Sequence, residues 1–329
     1  MSKTKKVFII ILKILKIAFA GIVALLILNL FAFLYGYSGI HIENDTGATD
    51  YKWLNNLIRT NCEEGFSFFR FDNEGFNNKE KYSGKPDILL MGSSHMEAVQ
   101  VKQEENTGYL LNEYLDYHTY NIGISGHTIY SCVKNLSKAN AYYSPSNYII
   151  IETDSVELNN DKMEEVLKGK YPTIPSYSSG AFYQSQIYFP VVKMMYKKIL
   201  DWKSADVIDS DHNNQASTET YLNLFLKKAK TDAGHATLII MYHPSINFNN
   251  SGKMIVNNDG VDKFEKSCKE NGIVFVNMTN DFEDLYYDNH KLPYGFINTG
   301  VGVGHLNKYG HKIIAERLTK TIEELEGQK

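Results

Sequence analysis

The sequence predicts a three-layer α/β/α domain with a mostly parallel β-sheet, preceded by one N-terminal transmembrane helix. Two observations predict this fold class. From residue 85 onward, short apolar segments of the length of a buried strand alternate with longer segments of helical periodicity, which is typical of parallel α/β domains. Before them lies Ile17–Tyr37, a segment without a charged residue that has no counterpart elsewhere in the 329-residue chain.

The bulk composition limits the classes of function. Apolar residues make up 43% of the chain and charged residues 22%, so the chain can bury a sizeable core. A net charge of −4 gives the molecule no basic footprint, and we therefore expect no nucleic-acid partner. Cys62, Cys132 and Cys268 fit neither a metal motif nor a disulfide framework, and we expect no metal and no other cofactor.

Residues 1–37 are interpreted as a cytoplasmic tip and a single-pass membrane anchor. Extended back to Val7, the apolar segment is long enough to cross a hydrocarbon core about 30 Å thick. Lysines lie on its N-terminal side and acidic residues follow it, so the positive-inside rule places the N-terminus in the cytoplasm and residues 40–329 outside. A cleaved signal peptide is the alternative, although the segment is longer than an ordinary signal and no Ala-x-Ala site follows it.

The next segment, residues 38–84, is polar and mixed, and we interpret it as a linker with irregular packing against the domain. The domain itself is predicted to cover residues 85–329. Its first half is predicted to contain the strands Asp87–Met91, Thr119–Ile124 and Tyr148–Glu152 and the helices Glu104–Tyr117 and Thr128–Ala141.

Residues 157–215 interrupt this alternation. They are rich in Tyr, Ser, Asn and Lys and contain three prolines, so we interpret them as an insertion with a helix near Val191–Trp202. The regular pattern then returns with the helices Thr218–Lys230, Val261–Asn271 and Asn307–Glu326 and the strands Ala236–Tyr242 and Ile273–Met278.

Three residues near predicted strand ends supply the parts of an acyl-transfer site. Ser94 follows the first strand, where a helix N-terminus favours a nucleophilic oxygen. Gly126 ends a glycine-containing bend and can present its amide to an oxyanion. His305 precedes the last helix and can act as a general base. Each residue alone has a structural alternative (a helix cap, a tight turn, a helix-start histidine), so only their conjunction points to catalysis.

Other polar residues also follow predicted strands. His243 lies just before Pro244, and it is either a substrate-binding residue in the same cleft or a polar residue at a strand end. Glu152 ends the third strand and Asp154 lies just after it, and these two residues either line the site or are ordinary surface charges.

The conjunction resembles the SGNH (GDSL-like) hydrolase superfamily. The first block of that family is an apolar strand followed by Gly-Asp-Ser, and Gly92-Ser93-Ser94 is similar to it with serine in place of aspartate. Asn121-Ile-Gly-Ile-Ser-Gly126 resembles the second block, and His305-Leu-Asn-Lys-Tyr-Gly310 resembles the last. The resemblance covers about residues 85–325. It implies an SGNH or flavodoxin-like fold, a serine nucleophile at 94, a histidine base at 305, and oxyanion donors from the amides of residues 94 and 126.

The first departure from the family pattern concerns the acid. The family places it three residues before the histidine, where this chain has Gly302. The acid is therefore either absent, which would leave a Ser–His dyad, or supplied from elsewhere. Asn298, Asp281 and Asp284 lie nearby in sequence, and no feature of the sequence ranks one above the others.

The second departure concerns the third block, which in the family is Gly-x-Asn-Asp with the asparagine as an oxyanion donor. This chain has Glu152-Thr153-Asp154 after the strand, so Thr153 is the available substitute. The two departures resemble a divergent membrane-anchored branch of the superfamily, which includes the teichoic-acid D-alanylation protein DltD and the alginate-acetylation proteins.

The resemblance implies an extracytoplasmic, membrane-anchored O-acyl esterase or acyltransferase. The acyl group would be acetyl and the substrate a cell-envelope or secreted glycopolymer, with a membrane-bound O-acyltransferase as partner. Two alternatives remain open: a binding or assembly protein whose site has decayed, and an esterase directed at lipid. Hydrogen-bonding distance between Ser94 and His305 would favour an enzyme. A deep apolar cleft would favour lipid over glycan.

Overall fold

The structure is a computed structural model that describes residues 3–34, 42–44, 47–61, 64–172 and 219–327. The predicted helix near Val191–Trp202 and Cys62 lie outside the described residues. The first element is the helix α1, Lys3–Leu34, whose stretch Lys5–Phe31 is long and apolar enough to be a membrane span or a signal sequence. At 1.5 Å per residue, its 27 residues extend about 40 Å, which exceeds the thickness of a hydrocarbon core.

The remaining described residues form an α/β unit with the following elements. The strands are β1 (Ile42–Asn44), β2 (Tyr51–Trp53), β3 (Ile58–Asn61), β4 (Ser67–Arg70), β5 (Ile88–Met91), β6 (Thr119–Asn121), β7 (Tyr148–Thr153), β8 (Thr237–Tyr242), β9 (Ile246–Phe248), β10 (Met254–Val256) and β11 (Val274–Asn277). The helices are α2 (Ser94–Glu97), α3 (Thr107–Tyr114), α4 (Ile129–Tyr143), α5 (Asn160–Leu167), α6 (Glu219–Asp232), α7 (Val261–Glu270), α8 (Thr279–Tyr287) and α9 (Lys308–Glu326), with a 3₁₀ turn at Gln103–Glu105.

A five-stranded sheet lies at the centre of this unit, in the order β11-β8-β7-β5-β6 with every neighbouring pair parallel. Alternate residues of each strand point to opposite faces. Leu89, Ile149 and Ile240 therefore pack in one apolar layer with α4–α7, whereas Leu90 and Ile150 pack in a second layer with α3, α8 and α9. The predicted three-layer α/β fold with a mostly parallel sheet is confirmed.

Local capping explains where the boundaries differ from prediction. The helix expected at Glu104–Tyr117 begins only at Thr107, because the Asn106 side chain accepts the N–H of Tyr109 and caps it there. The last helix begins at Lys308 because Asn307 caps it in the same way, accepting the N–H groups of Tyr309 and Gly310.

The segment predicted to be an irregular linker contains more order than expected. β1 pairs with β2 and β3 pairs with β4, in both cases antiparallel. Trp53 stacks on Phe71 with ring centroids 5.1 Å apart, and its indole N–H donates to the buried Glu97 carboxylate that follows β5. Buried aromatic surface therefore fixes this segment against the sheet domain. Packing of this segment against the domain was expected from the sequence, whereas the two antiparallel strand pairs were not.

Candidate active site

Ser94 lies three residues beyond the carboxyl end of β5, the strand between β7 and β6 in the sheet. Ser93 is the cap of α2, since its hydroxyl accepts the N–H of His95 at 3.2 Å, and Ser94 is the first helical residue. The turn leaves no room for a side chain at Gly92, where a Cβ would lie 2.5 Å from the Glu152 carboxylate. The sequence Gly-Ser-Ser thus places a serine hydroxyl at the edge of the sheet where parallel α/β folds bind ligands.

His305 meets this serine directly. The Ser94 hydroxyl lies 2.8 Å from His305 Nε2, within hydrogen-bonding distance, although the two residues are 211 positions apart in the chain. The loop that carries the histidine is held by Asn307, whose side-chain amide donates to the carbonyls of Leu292 and Gly295. The structure therefore brings together the predicted nucleophile and the predicted base.

Glu64 is the carboxylate that contacts the His305 imidazole, in the place for which the sequence left the acid unassigned. Its Oε2 lies 2.9 Å from His305 Nδ1 and also accepts the backbone N–H of His305 at 2.7 Å. Gly304 permits this approach, because a Cβ there would lie 2.6 Å from the same oxygen, and its φ of +105° suits glycine. Ser94, His305 and Glu64 form a continuous hydrogen-bonded triad.

The three residues considered near the histidine in sequence have other positions. The side-chain oxygen of Asn298 accepts the N–H of Gly65 at 2.8 Å, so Asn298 supports the backbone next to Glu64. Asp281 lies on α8, 4.0 Å from Arg317, and Asp284 lies one turn further along the same helix. Neither aspartate has a described contact with His305.

The hydrogen bonds fix the tautomer of His305. A carboxylate only accepts, so the Nδ1 that faces Glu64 carries the proton and the Nε2 that faces Ser94 is free to accept one. This arrangement is required for the imidazole to take the serine proton during nucleophilic attack. Both side chains are about one-quarter exposed, at 27% for His305 and 24% for Glu64, so a substrate can reach the imidazole from solvent.

Gly126 lies beside the nucleophile turn, in the loop that follows β6. The N–H of Ile124 donates to the carbonyl of Gly92 at 3.1 Å, which fixes this loop against the Ser94 turn. His127 N–H donates to Ile124, and Gly126 takes the third position of this turn with φ +85°. Within the described part of the chain, neither the Ser94 amide nor the Gly126 amide has a backbone acceptor.

Thr153 does not supply the third donor that the sequence suggested. Its hydroxyl donates to the Ser155 carbonyl at 2.7 Å and accepts the Ser155 N–H at 3.2 Å. A hydroxyl has one proton, so the side chain is committed to its own turn. Asp154, the next residue, is exposed and lines the cleft next to the triad, which is one of the two positions expected for it from the sequence.

His243 is buried behind the triad, and both of its ring nitrogens have protein partners. Its Nδ1 lies 2.6 Å from the Tyr294 hydroxyl, and its Nε2 lies 2.6 Å from Glu152 Oε1. The side chains of His243 and Glu152 are completely buried. Of the two interpretations of His243, the geometry favours a structural residue over a substrate-binding one, because both ring nitrogens already contact protein groups.

His95 completes the group of imidazoles. Its ring lies 4.6 Å from that of His243 and 5.1 Å from that of His305, and its Nδ1 accepts the N–H of Leu306 at 3.2 Å. Burial, together with the positive charge of His243, lowers the pKa of His95 well below its ordinary value. His95 is thus neutral and protonated on Nε2, and it supports the backbone next to His305.

An open cleft of about 380 Å³ adjoins the triad, lined by His95, Asp154, Ser155, His243, Ser245, Ile246, Asn247, Tyr294, Gly302, Val303 and Gly304. Its volume is in the range of small-molecule sites. No group of three or more His, Cys, Asp or Glu side chains in the described ranges is arranged to hold a metal ion. The chemistry that these residues can perform is nucleophilic acyl transfer through a serine.

No family model and no curated protein matches this chain. The solved structures that resemble it include SGNH hydrolases and esterases. The esterase EstA from Pseudoalteromonas is 18% identical, with a TM-score of 0.37 over 73% of this chain and 98% of that one. The acetyl xylan esterase AlAXEase is 14% identical, with a TM-score of 0.39 over 71% of this chain and 98% of its own. A protein described as an SGNH hydrolase, from Slackia heliotrinireducens, is 12% identical, with a TM-score of 0.39 over 73% of this chain and 100% of its own. Likeness at this level carries no argument about activity, so the function is argued from the site.

Proposed function

We propose that this protein is a serine O-acyl esterase or acyltransferase. The observation that carries the proposal is the continuous chain of hydrogen bonds from Ser94 through His305 to Glu64. Ser94 Oγ attacks the acyl carbonyl carbon while its proton passes to His305 Nε2, and Glu64 stabilises the imidazolium that forms. The Ser94 and Gly126 amides donate to the oxyanion. The C–O bond then breaks, and His305 returns the proton to the leaving alcohol.

The second half of the reaction decides between the two activities. Water or a second hydroxyl attacks the acyl-Ser94 carbonyl, giving up its proton to His305, which passes it back to Ser94 as the acyl group leaves. Water as acceptor makes the protein an esterase, and a sugar hydroxyl makes it a transferase.

The finer proposal follows from the resemblance and from α1. We propose a membrane-anchored protein with its cytoplasmic tip at the N-terminus and its catalytic domain, residues 85–329, outside the cell. The substrate would be an acetylated cell-envelope or secreted glycopolymer, and the partner a membrane-bound O-acyltransferase, as in the branch that includes DltD and the alginate-acetylation proteins. The apolar length of α1 and the open cleft with the polar side chains Asp154, Ser155 and Asn247 support this reading.

A serine-directed fluorophosphonate probe tests the proposed activity. We expect one equivalent of probe to react with the folded protein, because the triad activates the hydroxyl and the phosphonyl oxygen occupies the place of the oxyanion. Mass spectrometry of the digest should locate the adduct on Ser94. Heat-denatured protein is the control and should not react. An adduct elsewhere, or none on the folded protein, would favour the alternative of a decayed site that serves binding or assembly.

A second candidate substrate is an ester with an aliphatic chain. An apolar groove of about 500 Å³ lies between the β9–β10 hairpin and the loop before His305, lined by Ile246, Asn247, Phe248, Gly252, Tyr286, Val301 and Val303. None of these side chains is charged, and the groove shares Ile246, Asn247 and Val303 with the cleft beside the triad. Val303 is 62% exposed at the junction, where an alkyl chain would cover it.

A series of p-nitrophenyl esters from acetate to octanoate separates the two substrates. If the groove holds an alkyl chain, kcat/KM should increase by up to about fourfold per added methylene, and Val303→Ser should flatten that trend. Ile255→Ser is the matched control, since Ile255 is 51% exposed on the same hairpin but does not line the groove. A preference for acetate that neither variant alters would favour the glycopolymer.

A further inference from the structure

The two amides assigned to the oxyanion share an arrangement that their sequences do not suggest. In each case a buried carboxylate accepts the N–H of the preceding residue. Glu152 accepts the N–H of Ser93, which precedes Ser94, and Glu97 accepts the N–H of Ser125, which precedes Gly126. Glu97 and Glu152 are each only 1% exposed, so neither carboxylate can itself meet a substrate.

Both carboxylate oxygens of Glu152 have hydrogen-bond partners. Its Oε2 accepts the Ser93 N–H at 2.6 Å, and its Oε1 lies 2.6 Å from His243 Nε2. The Tyr294 hydroxyl donates its only proton to the Pro244 carbonyl at 2.8 Å, so it must accept from His243 Nδ1, which therefore carries a proton. A further proton lies between His243 Nε2 and Glu152.

The charge of this pair follows from those two protons. The second proton leaves the Glu152–His243 pair without net charge, whichever partner carries it, so the pair adds no net repulsion to a developing oxyanion. Burial alone would raise the pKa of Glu152, but its hydrogen bond with His243, the charge of His243 and the Ser93 amide together lower it.

Glu97, at the end of α2, binds the turn that contains Ser125 and Gly126. Its Oε2 accepts both the N–H and the hydroxyl of Ser125, and its Oε1 accepts the indole N–H of Trp53. The Tyr51 hydroxyl donates to the Ser125 carbonyl, which belongs to the same peptide group as the Gly126 N–H, so the peptide groups on both sides of the Ser125 Cα are held. Every described partner of the Glu97 carboxylate is a donor, which suits a group with acceptors on both oxygens. Two residues from the polar N-terminal segment thus help to fix the Gly126 turn.

We propose that Glu97 and Glu152 are positioning residues that aim the Gly126 and Ser94 amides at the oxyanion, which rests on the proposed acyl transfer. Each carboxylate accepts the N–H of the residue before the oxyanion donor. It thereby fixes the orientation of the next peptide group, which carries the donor N–H. The donor itself has no described backbone acceptor and is free for the substrate. Such pre-oriented donors need no reorganisation when charge develops, which is the usual source of oxyanion stabilisation.

The two glutamates should respond differently to glutamine. In Glu152→Gln the amide oxygen can accept the Ser93 N–H while its NH₂ donates to a neutral His243, so every partner is satisfied and kcat should fall only about threefold. In Glu97→Gln the NH₂ must face a donor, either on Trp53 or on Ser125, and kcat should fall about tenfold. Both alanine variants should lose about 10²-fold in kcat, with KM within about twofold, because only the transition state uses the oxyanion donors.

Two further measurements separate positioning from general damage. Asp72→Asn is the matched control, because Asp72 is another buried carboxylate, 5% exposed, that accepts several donors away from the triad. It should lower Tm without lowering kcat per folded molecule. Hydrogen–deuterium exchange should accelerate at residues 92–96 in Glu152→Ala and at residues 123–128 in Glu97→Ala, and this readout needs no activity.

The outcomes are distinct. Alanine variants that retain kcat within about threefold of wild type, or whose losses match the fraction unfolded, would overturn the positioning role. Unchanged exchange in both peptides would overturn it even if the wild type had no esterase activity. If the proposed acyl transfer itself is wrong, the wild type will be inactive as an esterase. Hydrogen–deuterium exchange in the two alanine variants will nevertheless be faster than in the wild type.

Discussion

Replacing Ser94 by alanine will abolish ester hydrolysis, lowering kcat by about 10⁴-fold or more while leaving the fold intact. The hydroxyl oxygen is the only heavy atom that the variant loses, and its described partner is His305 Nε2 at 2.8 Å. Without it no acyl-enzyme forms, and the residual rate comes from oxyanion donors acting on a direct attack by water. The steady-state rate of p-nitrophenyl acetate hydrolysis measures this loss.

Ser137→Ala is the matched control for that experiment. Ser137 is exposed in the middle of α4, where alanine is the better helix former, so this variant should keep the wild-type kcat and a wild-type or slightly higher Tm. A Ser94→Ala protein that hydrolyses the ester within about tenfold of the wild-type rate would mean that another group is the nucleophile. Ser93 would then be the first candidate, although its hydroxyl is engaged in capping α2.

Local chemistry explains why Ser94, Gly126 and His305 could be found from the sequence. Each lies beside a strand end or a helix start, where the required backbone geometry also restricts the residues, as Gly92 and Asn307 illustrate. The parallel strands then bring these ends to one edge of the sheet without further information. Short patterns of this kind can be recognised because their structural causes are local.

Glu64 could not be found in the same way. It is 241 residues from His305 and lies between β3 and β4 in a polar segment, so no periodicity or neighbouring motif marks it. The feature of the sequence that comes closest to marking Glu64 is Gly304, which must lack a side chain because Glu64 approaches it. From the sequence alone, however, Gly304 indicates only a flexible loop. Glu97 and Trp53 were hidden for the same reason, since their contact is tertiary. Contacts between distant segments depend on packing, which sequence patterns do not encode.

Glu64 is the residue for which substitution separates orientation from charge. In Glu64→Ala, His305 loses the acceptor for its Nδ1–H and the acceptor for its backbone N–H. The orientation and tautomer of the ring are then no longer fixed. We expect kcat to fall about 10³–10⁴-fold, as when the acid of a serine triad is replaced. Glu64 is 24% exposed, so the variant should fold, and Tm should change little.

Glutamine at position 64 should give an intermediate rate, because one oxygen of Glu64 accepts both donors of His305. An amide oxygen in that place keeps the ring and its tautomer but cannot stabilise the imidazolium by charge, so we expect kcat to fall about 10²-fold with KM unchanged. Glu113→Gln, on the exposed face of α3, is the matched control and should be wild-type. Equal losses for glutamine and alanine would assign the whole effect to charge. If instead Glu64→Ala kept more than about one-third of the wild-type kcat, the site would act as a Ser–His dyad and Glu64 would have no part in catalysis.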